Sequence, residues 1–156
     1  MDPVTSTSSP QATSSTVTVR GLLESLQAGD LDQALSLLDE QVVYSNVSLP
    51  TVHGRNGVER LFRPTLGRMG FRVFFHAIGT DEADSGVVLT ERTDALVFGP
   101  VSIQFWVYGR FEIRDGFITL WRDSFDWSDM LMGLFRGVAG VALPFVRRSW
   151  PTSNGE

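Results

Sequence analysis

The sequence predicts an α+β domain: a strongly curved mixed, mostly antiparallel sheet forming a cone, with about four helices around an internal pocket. Three observations carry this expectation. Apolar residues recur at helical spacing early in the chain, then give way to long strand-like runs between positions 71 and 126, and one more helical pattern follows. Gly99-Pro100 and Asp115-Gly116 separate consecutive runs as turns, which makes the strands a meander. One of those runs carries Arg92 and Asp94 on an otherwise greasy face, so the sheet is expected to enclose something polar.

Each element follows from local chemistry. Residues 1–15 are Ser, Thr and Pro with little apolar content and are expected to be a disordered tail. Val19, Leu22, Leu23 and Leu26 predict a helix from about Thr16, closed at Gly29. Asp30 caps a second short helix carrying Leu31, Ala34, Leu35, Leu37 and Leu38. A strand is expected over 41–47, a loop over 49–54, and a third helix from Asn56 or Gly57 that Pro64 ends or kinks. Strands follow at 71–80, 87–98, 102–114 and 117–126. Ser128 is placed to cap a last helix through Met130, Leu131, Leu134, Phe135 and Val138, which either packs in the ordinary way or, with its adaptable methionines, forms a flexible lid or mouth of the pocket. Residues 16–150 are read as a single domain and 151–156 as a C-terminal tail.

Composition narrows the function. With 156 residues, 42% hydrophobic and 20% charged, the chain reads as one globular domain. Net charge is −5 and no basic stripe is present, which argues against a nucleic-acid partner. Cysteine is missing, so disulfides, thiolate catalysis and Cys-ligated metals are excluded. The longest apolar run, 131–146, is interrupted by Arg136 and Pro144, so stable membrane insertion is not expected. The N-terminus lacks a secretory pattern, and a cytoplasmic protein is expected.

Alternation places Val88, Thr90, Arg92, Asp94, Leu96 and Phe98 on one face of a strand. Buried charges of this kind need partners. The return strand supplies one: Phe117, Thr119, Trp121, Asp123 and Phe125 share a face, so Asp123 points inward too. The economical arrangement puts Arg92 between Asp94 and Asp123, with its fork of donors bridging both. Such a network is equally compatible with a purely structural clamp on strand register, and spacing alone does not separate the two. Tyr44 and Asn46 also share a face. They either hold a water or serve as an ordinary core residue and a turn residue.

Tyr44-Ser45-Asn46, Leu89-Thr90-Glu91-Arg92-Thr93-Asp94 and Leu120-Trp121-Arg122-Asp123-Ser124-Phe125-Asp126 together resemble the limonene-1,2-epoxide hydrolase family, in particular its mycobacterial branch. That family has the fold named after nuclear transport factor two. The resemblance spans nearly all of the chain after the tail. It implies Asp123 as general base, Tyr44 and Asn46 as the pair holding the attacking water, Asp94 as general acid and Arg92 as the link between the aspartates. It also implies a one-step reaction with no cofactor, no metal and no covalent intermediate, and a homodimer through the sheet. Ser124 departs from the tyrosine expected there, on the outer face by alternation.

On this reading Leu96, Phe98, Trp121 and Phe125 line the substrate pocket, and the substrate is a bulky apolar epoxide: terpenoid, sterol-like or fatty. His53 and His76, the only histidines, have no carboxylates at matching positions for a metal site, and by alternation His76 shares a face with Phe74 and Ile78. Two rival classes remain on the same cone. One is a ketosteroid-isomerase-like or cyclase-like enzyme, which needs only one acid–base group. The other is a non-catalytic module binding an apolar ligand.

Overall fold

The structure is a computed structural model and describes residues 9–152. In chain order its elements are α1 (Pro10–Gln27), α2 (Leu31–Ser36), β1 (Leu38–Asn46), β2 (Val52–His53), α3 (Arg55–Leu66), β3 (Gly70–Thr80), β4 (Val87–Phe98), β5 (Val101–Arg114), β6 (Phe117–Phe125), α4 (Trp127–Ala142) and a short 3-10 turn, Pro144–Val146. One six-stranded open sheet runs β2-β1-β6-β5-β4-β3. Only the β1–β6 pair is parallel; the rest are antiparallel. The curved, mixed α+β cone expected from the sequence is what the chain forms.

The helices α1, α2 and α3 cover one face of the sheet. Val19, Leu22, Leu23 and Leu26 of α1, Leu31 and Leu35 of α2, and Val58 of α3 join Val42, Val88, Phe111 and Ile118 of the strands in one core. Each such aliphatic side chain contributes about 1.5–3 kcal/mol on burial. The α1–α2 corner is a Schellman closure: Gly29 N–H donates to the Leu26 carbonyl and Asp30 N–H to the Ser25 carbonyl, with Gly29 at φ +75°. Asp30 then caps α2 through Gln33 N–H, at 3.0 Å. Asp115 and Gly116 both have positive φ, the geometry that joins β5 to β6 with matching twist.

Several expectations are corrected. Residues 10–15 are not part of a disordered tail; they are the first turns of α1. Ser9 caps the helix by accepting from Ala12 N–H at 3.2 Å, Pro10 opens it, and Ala12 and Ser15 are buried. A Ser-Pro helix start was hidden in a composition that looked unstructured; residues 1–8 and 153–156 of the two expected tails lie outside the described residues. Leu38 begins β1 instead of ending α2, and Val52 and His53 form an edge strand within the expected loop. Pro64 does not stop α3, which runs two residues further. Asp126, not Ser128, caps α4: its carboxylate accepts from Ser128 N–H at 2.7 Å.

Two β-bulges also override simple alternation. One lies between Phe75 and Ala77, so Ile78 packs on the core while His76 stacks on Trp106 outside. The other lies between Glu112 and Ile113 opposite Ile118–Leu120; it turns Ile118 inward and leaves Phe117 exposed, the reverse of the expected faces.

The last helix lies along β5 where that strand has no pairing to β6, covering the free edge. Gly133 faces the Gln104 carbonyl and Gly137 the Ser102 carbonyl, so closely that a Cβ at either would collide. Asp129 accepts from the Trp106 backbone N–H at 2.8 Å. Only Trp127 and Met130 of this helix border the internal cavity. Leu131, Phe135 and Val138 are exposed.

Candidate active site

A row of residues across four strands organises the site. Asn46 on β1 faces Asp123 on β6, which faces Gly109 on β5, which faces Thr90 on β4. One row along, Tyr44 faces Trp121, which faces Phe111. Arg92 and Asp94 follow Thr90 on the same face of β4. The polar residues read from three separate strands therefore converge because strand register brings them together.

Arg92 is fully buried, and Asp94 and Asp123 are 4% and 6% exposed. The Arg92 Nε donates to Asp94 Oδ1 at 2.9 Å and to Oδ2 at 3.1 Å. Its Nη2 lies 2.7 Å from Asp123 Oδ2, a close ionic contact that sits off the hydrogen-bonding direction. Its Nη1 donates to Thr90 Oγ1 at 3.1 Å. The bridge of one guanidinium between two carboxylates is thus present.

Electrostatics follow from burial. Burial pushes Asp94 up to about 6, against the lowering pull of Arg92 and with a further push from Asp123. Burial disfavours the charged guanidinium of Arg92, but Asp123 and Asp94 together outweigh it, so Arg92 stays cationic. Burial, then the neighbouring Asp123, raise Tyr44 far above the ordinary phenol range, so it keeps its proton.

Asp123 is held asymmetrically. The Trp121 indole N–H donates to Oδ2 at 2.8 Å, the oxygen that also meets Arg92, while buried Oδ1 has no partner among the described residues. Asn46 Nδ2 donates to Tyr44 Oη at 2.5 Å, and Asn46 Oδ1 is likewise buried without a partner. Tyr44, Asn46 and Asp123 all line one cavity. A water molecule has two donors and two acceptor lone pairs, the complement of two acceptors and one O–H.

The cavity measures about 290 Å³. Leu96, Trp121 and Phe125 line it as expected, together with Tyr44, Asn46, Arg92, Asp94 and Asp123. Phe98 does not: it stands at the open end of β4, 44% exposed, paired with Val101 across the turn. Alternation put it on the right face but could not say where the cone ends. Phe105 and Val107 were missed, although they sit opposite Asp94 and Arg92 and line the cavity. Counting back from the Gly99-Pro100 turn would have found them. Phe62 and Leu66 on α3, and Leu23 and Leu26 on α1, carried no signal beyond helical spacing. His53 sits on the edge strand and His76 on the outer face, and no group of three or more His, Asp or Glu among the described residues could hold a metal.

The sequence pattern of the limonene-1,2-epoxide hydrolase catalytic domain matches residues 13–136. The chain is 46% identical over 129 residues to Epoxide hydrolase EphG of Mycobacterium tuberculosis, covering 83% of this chain and 85% of that protein. The structure of an M. tuberculosis LEH-like epoxide hydrolase superposes with a TM-score of 0.81 at 44% identity, covering 86% of this chain and 99% of that one. An NTF2-like protein from Burkholderia pseudomallei, 17% identical, shares the fold alone, with a TM-score of 0.66 over 78% of this chain and 97% of its own. The chain belongs to the limonene-1,2-epoxide hydrolase family and is an epoxide hydrolase of that type.

Proposed function

We propose that the protein adds water to a bulky apolar epoxide in one step, giving a vicinal diol, with Asp123 as general base and Asp94 as general acid. The observation that carries this is Arg92 clamped between the two carboxylates, beside two unpaired acceptors and the Tyr44 hydroxyl in one apolar cavity. Asp123 Oδ1 takes a proton from a water that Asn46 and Tyr44 orient. The water oxygen bonds to an epoxide carbon as the C–O bond breaks, and Asp94 delivers its proton to the departing oxygen. A proton then returns from Asp123 to Asp94 through solvent. Positioned acid and base each supply roughly 10²- to 10⁴-fold.

The substrate class follows from the wall. Leu96, Trp121, Phe125 and Phe105 surround the carboxylates, and about 290 Å³ is at the small end of ligand cavities. A compact terpenoid ring or the end of a fatty chain suits that space better than a rigid sterol. The test is a single turnover with a lipophilic epoxide in ¹⁸O-labelled water. Label in the diol is the expected result; an isomerase, a cyclase or a binding module gives no diol, and label-free diol would mean a covalent ester.

The acid role has its own pH signature. Asp94 must be protonated to act, and its population of acid falls as pH rises through about 6. The kcat/KM is therefore expected to fall about tenfold per pH unit on the alkaline side. Asp94→Asn removes both that limb and most of the turnover. A profile that stays flat from about pH 5 to 8 would take the proton away from Asp94.

We also propose that the protein is a homodimer through its sheet, as the resemblance to the family implies. A monomer in sedimentation would remove it.

A further inference from the structure

Glycine in the middle of a long strand weakens it, so Gly109 asks for a reason. Its partners across the sheet are Thr90 on one side and Asp123 on the other. Arg92 starts on β4 and ends at Asp123 on β6, two strand spacings or about 9–10 Å away. Its side chain must therefore pass over β5. A Cβ on residue 109 would lie 2.5 Å from Arg92 Nη1, 2.5 Å from Thr90 Oγ1 and 2.8 Å from Phe111 Cε2. All three are closer than real side chains approach, so the guanidinium occupies the space that a side chain at 109 would fill.

Thr90 accepts from a third nitrogen of the group. The Arg92 Nε donates to Asp94 and Nη2 meets Asp123 only as an ionic contact off the hydrogen-bonding direction, so the roll of the planar group is fixed by the hydrogen bond from Nη1 to Thr90 Oγ1. Thr90 is 4% exposed, and the described side chains offer Nη1 no other acceptor. We propose that Gly109 and Thr90 are positioning residues that together form a seat for the Arg92 guanidinium: the glycine lets it lie flat across β5 and the threonine sets its rotation, so that one cation faces both carboxylates at once. The role assigned to the seat rests on the acid–base reading above; its geometry does not.

Thr90→Val keeps shape and removes the acceptor. It is expected to lower kcat by about 10- to 100-fold with little change in KM, because a buried hydrogen bond to a charged donor is lost. Thr90→Ser restores the acceptor and recovers most of the loss. Gly109→Ala drives the guanidinium off its seat and loses at least as much turnover. A second readout needs no turnover: the carboxyl resonances of ¹³C-aspartate-labelled protein followed against pH. In Thr90→Val the Asp94 titration moves upward, as the lowering pull of Arg92 slackens, and in Thr90→Ser it moves back. Wild-type kcat and an unshifted Asp94 titration in Thr90→Val would overturn the proposal, as would a folded Gly109→Ala with wild-type kcat. If the wild-type protein forms no diol, the acid–base reading fails, while the titration still decides whether the seat exists.

Discussion

Asp123→Asn is expected to lower kcat by about 10²- to 10⁴-fold while leaving a folded protein. The carboxamide has the shape of the carboxylate and can still accept the Trp121 indole N–H on its oxygen. It cannot take a proton from water, because amide oxygen is far too weak a base. The asymmetry of the native contacts makes the loss specific. Oδ2 is occupied by Trp121 and Arg92, and Oδ1 is the only oxygen of that group left to meet a water. Circular dichroism and a thermal melt would establish the fold, and diol formation the activity. Substantial hydrolysis by a folded Asp123→Asn variant would remove Asp123 as the base.

Arg92→Met has the largest expected effect on stability. Methionine roughly matches the length of the arginine stem but leaves two carboxylates facing each other with no cation. Breaking a buried ionic cluster in this way costs about 3–5 kcal/mol, a large share of the roughly 5–15 kcal/mol that holds a domain together. The pH dependence has a definite sign. Burial already holds Asp94 at about 6, and removing Arg92 takes away the one interaction that lowers it. A carboxyl raised in the folded state stabilises the fold below its unfolded value and loses that contribution as pH rises. The deficit of Arg92→Met against the wild type is therefore expected to widen as pH rises through 6 and beyond, and to shrink toward acid. Urea melts of both proteins at mildly acidic and mildly alkaline pH would measure it. Equal midpoints at every pH would mean that the guanidinium does not hold the carboxylates together.

What could be read in advance was whatever depends on neighbours in the chain. Period-two alternation placed Arg92 with Asp94, Trp121 with Asp123 and Tyr44 with Asn46, because side-chain direction in a strand is a local property. The turns at Gly99-Pro100 and Asp115-Gly116 were legible for the same reason, since a two-residue connection imposes its own backbone angles. Local pattern failed where packing or a short cap decides. The Ser9-Pro10 start of α1 is hidden in a polar stretch, and the bulges at His76 and opposite Ile118 each reverse a face by inserting one residue. Phe98 shows the same limit along a strand: its direction was right and its depth was not.

The amino-acid sequence by itself determined which side chains the cone would have to reconcile: an arginine, two aspartates, a tyrosine and an asparagine among aromatics. Tertiary structure alone decided their distances, because these depend on how four strands are slid against one another. The parallel pairing of β1 with β6 puts Asn46 beside Asp123, and the β4–β5–β6 register leaves an empty place at Gly109 for the guanidinium to cross. Register is set by the burial of whole faces and by bulges far from the site, and no short stretch of sequence contains it.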